Sequence, residues 1–259
     1  MKRINDTELK EFLDEKVAYY NNPSFIFSDP ISIPHRFTKK EDIEIAGFLT
    51  ATISWGQRTS ILKNANVLIG LMDDEPFDFV LNFSKKDLSP FKKFIHRTFN
   101  GDDCIYFMNA LQKIYKEKQS IESLFTENIN DNTKLDYQSA ITGWRRYFFS
   151  MPHPKRTLKH FANPEKGSAA KRINMFLRWL IRSDSCGVDF GLWKHKSSLL
   201  TCPLDVHSAN VARKLGLLKR KQNDWKAAAE LTGKLRKFDP NDPVKYDFAL
   251  FGLGVFEKF

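Results

Sequence analysis

The sequence predicts an all-α protein, and three observations carry that prediction. Apolar residues recur at three- and four-residue spacing along most of the chain, while the two-residue alternation of a half-buried strand is scarce. The 259 residues are 42% hydrophobic and 14% aromatic, enough to bury one large core or two small ones and too apolar for a disordered chain. With 12 glycines and 11 prolines, the composition fits neither a fibrous nor a low-complexity protein, and no internal repeat or flexible linker interrupts it.

The elements follow from those patterns in chain order. Glu44–Leu71 places Ile45, Phe48, Leu49 and Ile53, then Ile61, Leu62, Ala65, Leu68 and Ile69, on helical stripes. The polar segment Ser54–Ser60 breaks this run into two. Residues 103–118 and 135–149 show similar amphipathic patterns, and the polar stretch 120–135 between them reads as a loop or an insertion. Ile173, Phe176, Leu177, Leu180 and Ile181 form one stripe behind Gly167-Ser168. Val206, Ala209, Ala212 and Leu215 form another behind Asp205. Lys226–Phe238 and Val244–Leu253 complete the set. Loops are marked by Asp29-Pro30, Ser89-Pro90, Pro152-His153-Pro154, Asn163-Pro164 and Asp239-Pro240-Asn241-Asp242-Pro243.

Charge narrows the class of partner. The chain carries 41 Lys/Arg against 31 Asp/Glu, net +10, and the excess is uneven. Residues 1–141 hold 18 basic and 21 acidic residues, net −3; residues 142–259 hold 23 and 10, net +13. A basic half beside a mildly acidic half suggests a polyanion-binding face. A solvated basic surface without a partner is the ordinary alternative. No basic amphipathic segment exposes an apolar face and no apolar run reaches about 18 residues, so no membrane partner is expected. The start has no apolar stretch like that of a signal peptide, which leads to the expectation of a cytoplasmic protein. Three cysteines, Cys104, Cys186 and Cys202, can form neither a disulfide framework nor a four-cysteine iron–sulfur cluster. The six histidines lack zinc spacing, so no metal and no cofactor is expected.

Three segments combine residues that can do chemistry. The first is Ser54-Trp55-Gly56-Gln57-Arg58-Thr59-Ser60. The second is Gly167-Ser168-Ala169-Ala170-Lys171-Arg172, a turn of small residues that opens a helix. First-turn N–H groups have no partner inside the helix, so with small residues in front they can hold a phosphate. Lys171 sits in that turn beside Arg172. The positive helix end and a neighbouring cation both disfavour an ammonium, which favours the neutral nucleophile; a solvated surface lysine is the alternative. The third runs from Cys202 to Leu217, with Asp205 after Pro203-Leu204. Asp205 is a good helix N-cap, and the same geometry holds an ionised carboxylate ready to face a developing cation. His207 can line the same site.

Together these segments resemble the helix-hairpin-helix DNA glycosylase superfamily. Pro203-Leu204-Asp205-Val206-His207, followed by Val211-Ala212-Arg213-Lys214-Leu215-Gly216-Leu217, is similar to its "P-V-D-T-H … R-L-G-L" stretch, whose Asp is catalytic. Gly167-Ser168-Ala169-Ala170-Lys171 falls where the family's hairpin places its Schiff-base lysine. The separation, 205 − 171 = 34, is nearest that of the archaeal 8-oxoguanine glycosylase branch. Ile53–Ser60 resembles an early helix whose Gln, here Gln57, lies at the DNA beside Arg58. Asp242–Gly254 is similar to the closing helix. The resemblance covers roughly residues 40–75 and 160–255 and leaves 80–150 unmatched. Asn163-Pro164-Glu165-Lys166-Gly167-Ser168 departs from the family hairpin in having one glycine. The whole chain also resembles an uncharacterised bacterial family sharing the G-S-x-x-K-R and P-L-D-V-H signatures.

The resemblance implies a two-lobed helical fold, one lobe of about 35–150 and another combining 1–34 with 151–259, with a cleft between them. It implies a monomeric base-excision glycosylase, possessing or lacking AP-lyase activity, that acts on double-stranded DNA with a damaged or abasic site. Lys171 would be the Schiff-base nucleophile and Asp205 its assisting acid, with Lys166 and Lys194 as alternative amines. Gln57, Arg58, Gly167, Ser168 and His207 would contact the DNA, and Arg172, Arg213 and Lys214 would neutralise its phosphates. Trp55, Phe190 and Trp193 would supply aromatic faces for the extruded base. Two rivals stay open: a non-catalytic helical DNA- or RNA-binding protein, and a helical protein–protein scaffold.

Overall fold

The computed structural model describes residues 5–129 and 136–259. It is all-α: among these residues helices of α and 3-10 type are the only extended elements. The α-helices are, in order, α1 (Asp6–Tyr20), α2 (Ser24–Ser28), α3 (Lys40–Ile53), α4 (Arg58–Gly70), α5 (Pro76–Asn82) and α6 (Gly101–Lys118). Then come α7 (Ile121–Glu127), α8 (Gln138–Phe148), α9 (Lys171–Ile181), α10 (Val206–Lys214), α11 (Trp225–Phe238) and α12 (Tyr246–Val255). The chain divides into two compact units. One takes the segment up to Phe25, then Tyr137, then Pro164–Phe259; the other takes the segment from Ile26 and Gln138–Asn163.

The second unit is built around α3, whose residues from Ile43 to Ile53 are all buried. A helix apolar on every side belongs inside a core. Phe48 is its centre, with ring centroids of Trp144 at 5.1 Å, Phe148 and Phe161 at 5.7 Å and Phe107 at 5.8 Å. The polar stretch after residue 120 is not all loop. Ser120 caps α7 through Ser123 N–H, and Ile121, Leu124 and Phe125 are buried. The buried Glu44 carboxylate also accepts from Ile121 N–H at 3.2 Å and from the Tyr115 hydroxyl at 2.8 Å, fixing where α7 begins. Residues 130–135 of that stretch lie outside the described residues.

The first unit is built around α12. Tyr246–Leu250, Gly252 and Leu253 are all buried. Close approach requires Gly252 and makes Gly254 a tight position. A Cβ at Gly252 would lie 2.2 Å from the Tyr20 ring of α1, and one at Gly254 would lie 3.0 Å from His207 Cβ of α10. The sequence patterns did not single out α1, yet its start is a capping box, Asn5 accepting from Glu8 N–H and Glu8 accepting from Asn5 N–H. Helix α9 is buried from Ile173 to Ile181. The loop after it runs back along its last turns, Phe190 N–H donating to Trp179 O at 2.7 Å and Trp193 N–H to Leu180 O at 2.8 Å.

Candidate functional site

The turn that launches α9 is held from three directions. Gly167 takes φ +87°, a left-handed conformation that favours glycine. Its carbonyl accepts from Trp225 N–H at 2.9 Å, tying the turn to the start of α11. Ser168 Oγ accepts from Ala170 N–H at 3.2 Å, and the buried Asn174 amide donates to Ala169 O at 3.0 Å. These bonds hold Ala170 at φ +47°, a conformation that costs a non-glycine residue about 1–2 kcal/mol. No side chain caps the helix. The segment before it is a turn, Gly167 N–H donating to Pro164 O at 2.9 Å.

Lys171 is the first residue of α9 and is half-buried, its Nζ 3.5 Å from Met175 Sδ. Arg172 beside it is also half-buried, and burial pushes its guanidinium down to about 10. Lys171, Met175, Arg178 and Arg182 are spaced by four, three and four residues, so they share one face of α9. That face runs into a buried charge ladder. Arg178 Nη1 donates to Asp247 Oδ2 at 2.5 Å and Arg178 Nε to Asp189 Oδ1 at 3.2 Å. Arg182 continues it, Nη1 donating to Asp189 Oδ2 and Nε to Asp242 Oδ2, both at 2.9 Å. The Arg178 guanidinium also lies 4.4 Å from the Phe248 ring centroid.

Asp205 caps α10, its Oδ1 accepting from Ser208 N–H at 2.9 Å. It is half-buried behind the buried Cys202-Pro203-Leu204 segment. Burial, reinforced by Asp247, pushes the Cys202 thiol well up, so it is not a nucleophile. Asp247, in the first turn of α12, ties the site together. Burial pushes its carboxyl up to about 6. Arg178 and Lys171 oppose that rise, while Asp205 and Asp189 add to it. Lys171 and Asp205, 34 residues apart in the chain, head two helices that both meet α12, α9 through Arg178 and Asp247 and α10 through His207 and Gly254. Sequence reasoning assigned no role to Asp247, Arg178 or Asp189. The available signal was a lone acid in the apolar run Tyr246–Gly254.

Other sequence candidates fall elsewhere. Arg213 is not an open phosphate ligand. Its Nε donates to Arg220 O at 2.9 Å, and its Nη2 to Lys221 O at 2.8 Å and Asn223 Oδ1 at 2.5 Å. Trp193 is only 2% exposed, its ring edge-on to Phe176 at 5.5 Å, so it shows no face to a base. Phe190 is half-buried, whereas His207, Lys214, Gly167, Ser168 and the alternative amines Lys166 and Lys194 are exposed. Trp55, Gln57 and Arg58 belong to the second unit. There the half-buried Trp55 ring lies 4.9 Å from that of His96 and 5.8 Å from that of His160. Gln57 is exposed at the start of α4, and Arg58 Nη1 donates to Ser28 Oγ at 3.4 Å.

Among the described residues, no group of three His, Cys, Asp or Glu side chains is arranged to hold a metal ion, and no helix is long and apolar enough to cross a membrane. A family model described as a protein of unknown function (DUF2400) matches residues 29–256. No curated protein and no solved structure matches the chain.

Proposed function

The chain belongs to this family of unknown function, and from the chemistry of its site we propose that it is a DNA glycosylase with AP-lyase activity, acting on double-stranded DNA with a damaged or abasic site. One observation carries the reading. Lys171 and Asp205 stand at two helix starts of one compact unit, α9 joined to α12 by the Arg178–Asp247 ion pair and α10 packed on α12 where His207 meets Gly254.

In this mechanism the base is first extruded from the stack, at a cost of a few kcal/mol. As the bond between sugar C1′ and the base nitrogen breaks, positive charge develops on the sugar. The Asp205 carboxylate, fixed by Ser208 N–H, stabilises that charge. The deprotonated Lys171 amine attacks C1′, the base leaves with the bonding electrons and takes up a proton, and the adduct opens to an imine. Loss of a proton from C2′ then expels the 3′ phosphate, cleaving the strand. Asp205 and Asp247 are the carboxylates at hand to take the lysine's proton.

Borohydride trapping tests this directly. Wild type incubated with abasic or oxidised-base duplex should give a covalent protein–DNA adduct, and Lys171→Ala should give none. Absence of any adduct across abasic and oxidised substrates would sink the lyase assignment. A second reading, a helical nucleic-acid-binding protein without chemistry, is favoured by one feature: the lysine amine rests on a methionine sulfur. It predicts salt-dependent DNA binding with no adduct and no strand cleavage.

A further inference from the structure

Between Arg213 and Lys226 the chain carries six Lys or Arg and one acid, Asp224. This loop is pinned along its length. Arg213 donates to the carbonyls of Arg220 and Lys221 and to the Asn223 side chain. Glu230 Oε1 accepts from Lys219 N–H at 2.7 Å. Asp224 caps α11 through Ala227 N–H at 3.0 Å and pairs with Arg220 at 2.5 Å, so the one acid of the loop is already engaged. Trp225 N–H to Gly167 O, and the bridge between Ser168 and Asp224, fasten the loop to the turn that launches Lys171. Lys219, Lys221 and Lys226 are left exposed, and among the described residues none of the three is paired with a carboxylate. Together with Arg220, Gln222 and Glu230, whose carboxylate is held by Lys219 N–H, they line a shallow groove.

We propose that this loop is a preformed contact for the phosphate backbone of duplex DNA, carrying one strand past the Gly167-Ser168 turn toward Lys171. The proposal rests on the DNA reading above. Three features select a phosphate backbone over other anionic surfaces. The free cations are lysines, point charges that neutralise phosphates without reading a base edge. Of the loop's apolar residues Leu217, Leu218 and Trp225 are buried and Leu215 is half-buried, so no exposed apolar side chain is offered to a membrane or a protein interface. The backbone is already ordered, so binding does not have to order it.

The test is a salt series of equilibrium binding to a duplex containing a tetrahydrofuran abasic analogue, run alongside borohydride trapping on a true abasic duplex. Each lost phosphate contact lowers the slope of log affinity against log salt by about 0.9. The triple variant Lys219→Gln/Lys221→Gln/Lys226→Gln should lose about 2–3 from that slope and bind at least about tenfold more weakly near 0.1 M salt. Its melting temperature should stay at the wild-type value, because the three side chains are exposed. Arg213→Ala, which keeps those cations but unpins them, should weaken binding with little change of slope. A triple variant with wild-type slope and affinity overturns the proposal. So does a wild type that binds phosphatidylserine vesicles but not the duplex. Failure of the chemistry reads differently: a wild type that binds through the loop but never forms an adduct removes the lyase reading and leaves the loop standing.

Discussion

A carboxyl buried next to an arginine can be a structural ion pair or part of a reacting site, and Asp247 can be tested for both. Its folded-state value near 6 lies above the 3.8 of an unfolded aspartate, burial being the first cause. The folded state therefore holds that proton more tightly. The resulting stabilisation is full below about pH 4 and is lost as pH rises through about 6. A difference of roughly two units corresponds to about 3 kcal/mol. Asp247→Asn keeps an acceptor for Arg178 and removes the titration. Relative to wild type, its unfolding free energy should rise by up to about 3 kcal/mol between pH 4 and pH 7 in urea melts. A difference that stays flat with pH would show that Asp247 does not titrate this way. Asp205 calls for a paired substitution. Asparagine caps a helix as well as aspartate does, while alanine costs about 1 kcal/mol. Asp205→Asn should thus keep the wild-type melting temperature yet lose base release, and Asp205→Ala should lose both. If Asp205→Asn keeps full base release, the residue is only a cap. Lys171 and Asp205 were legible because a helix start announces itself locally, through small residues before one and Pro-Leu before the other. Asp247 was not, because its significance comes from Arg178 on another helix. Arg213 and Trp193 misled for the same reason: a cation looks free, and an aromatic looks available, until the chain folds over it.

At the scale of elements, α12 shows how small residues set the position of the acids. Gly252 admits the Tyr20 ring of α1, and Gly254 admits His207 of α10, two residues beyond Asp205. Tyr20 then reaches past the glycine so that its hydroxyl donates to Glu257 at 2.7 Å. Gly252→Ala adds one methyl group at 2.2 Å from that ring and 2.6 Å from its Cγ, the fixed end of the side chain rather than a flexible tip. Overpacking of this kind costs about 1–3 kcal/mol, and the helix-propensity gain of alanine over glycine offsets up to about 1 of it. A net loss of stability is expected, and trimming the ring in Tyr20→Leu/Gly252→Ala should recover part of it. Should Gly252→Ala be stabilising, the close packing of α1 on α12 would be wrong. The glycine pair was visible in the sequence as Phe251-Gly252-Leu253-Gly254, but its partners were not. Helix α7 shows the converse. Its seven residues are too few for a periodic stripe to stand out, and the buried Glu44 of α3 fixes its start.

For the molecule as a whole, helix class was legible because period is a local property, but which helices are central was not, because that depends on what packs around them. The division into two units was harder to read. It depends on aromatic packing contributed by the stretch 80–150, where Phe91, Phe99, Phe107, Phe125 and Phe148 are fully buried without forming any recognisable motif. The charge imbalance has a consequence at this scale. Residues 164–259, most of the first unit, carry 18 Lys or Arg against 10 Asp or Glu, so that unit repels itself. A polyanion that binds the folded unit stabilises it by mass action, by about 2.7 kcal/mol at a hundredfold excess over the dissociation constant. For a chain of this length that corresponds to a rise in melting temperature of about 5–10 °C. Sodium chloride screens the same repulsion without binding at a site, and at the ionic strength of the duplex solution it should give a much smaller rise. Duplex DNA should therefore raise the melting temperature well beyond an ionic-strength-matched control, and the Lys219→Gln/Lys221→Gln/Lys226→Gln variant should lose most of that gain. Equal shifts from duplex and matched salt would mean that the positive charge serves only as a solvated surface, and the case for a nucleic-acid partner would fall with it.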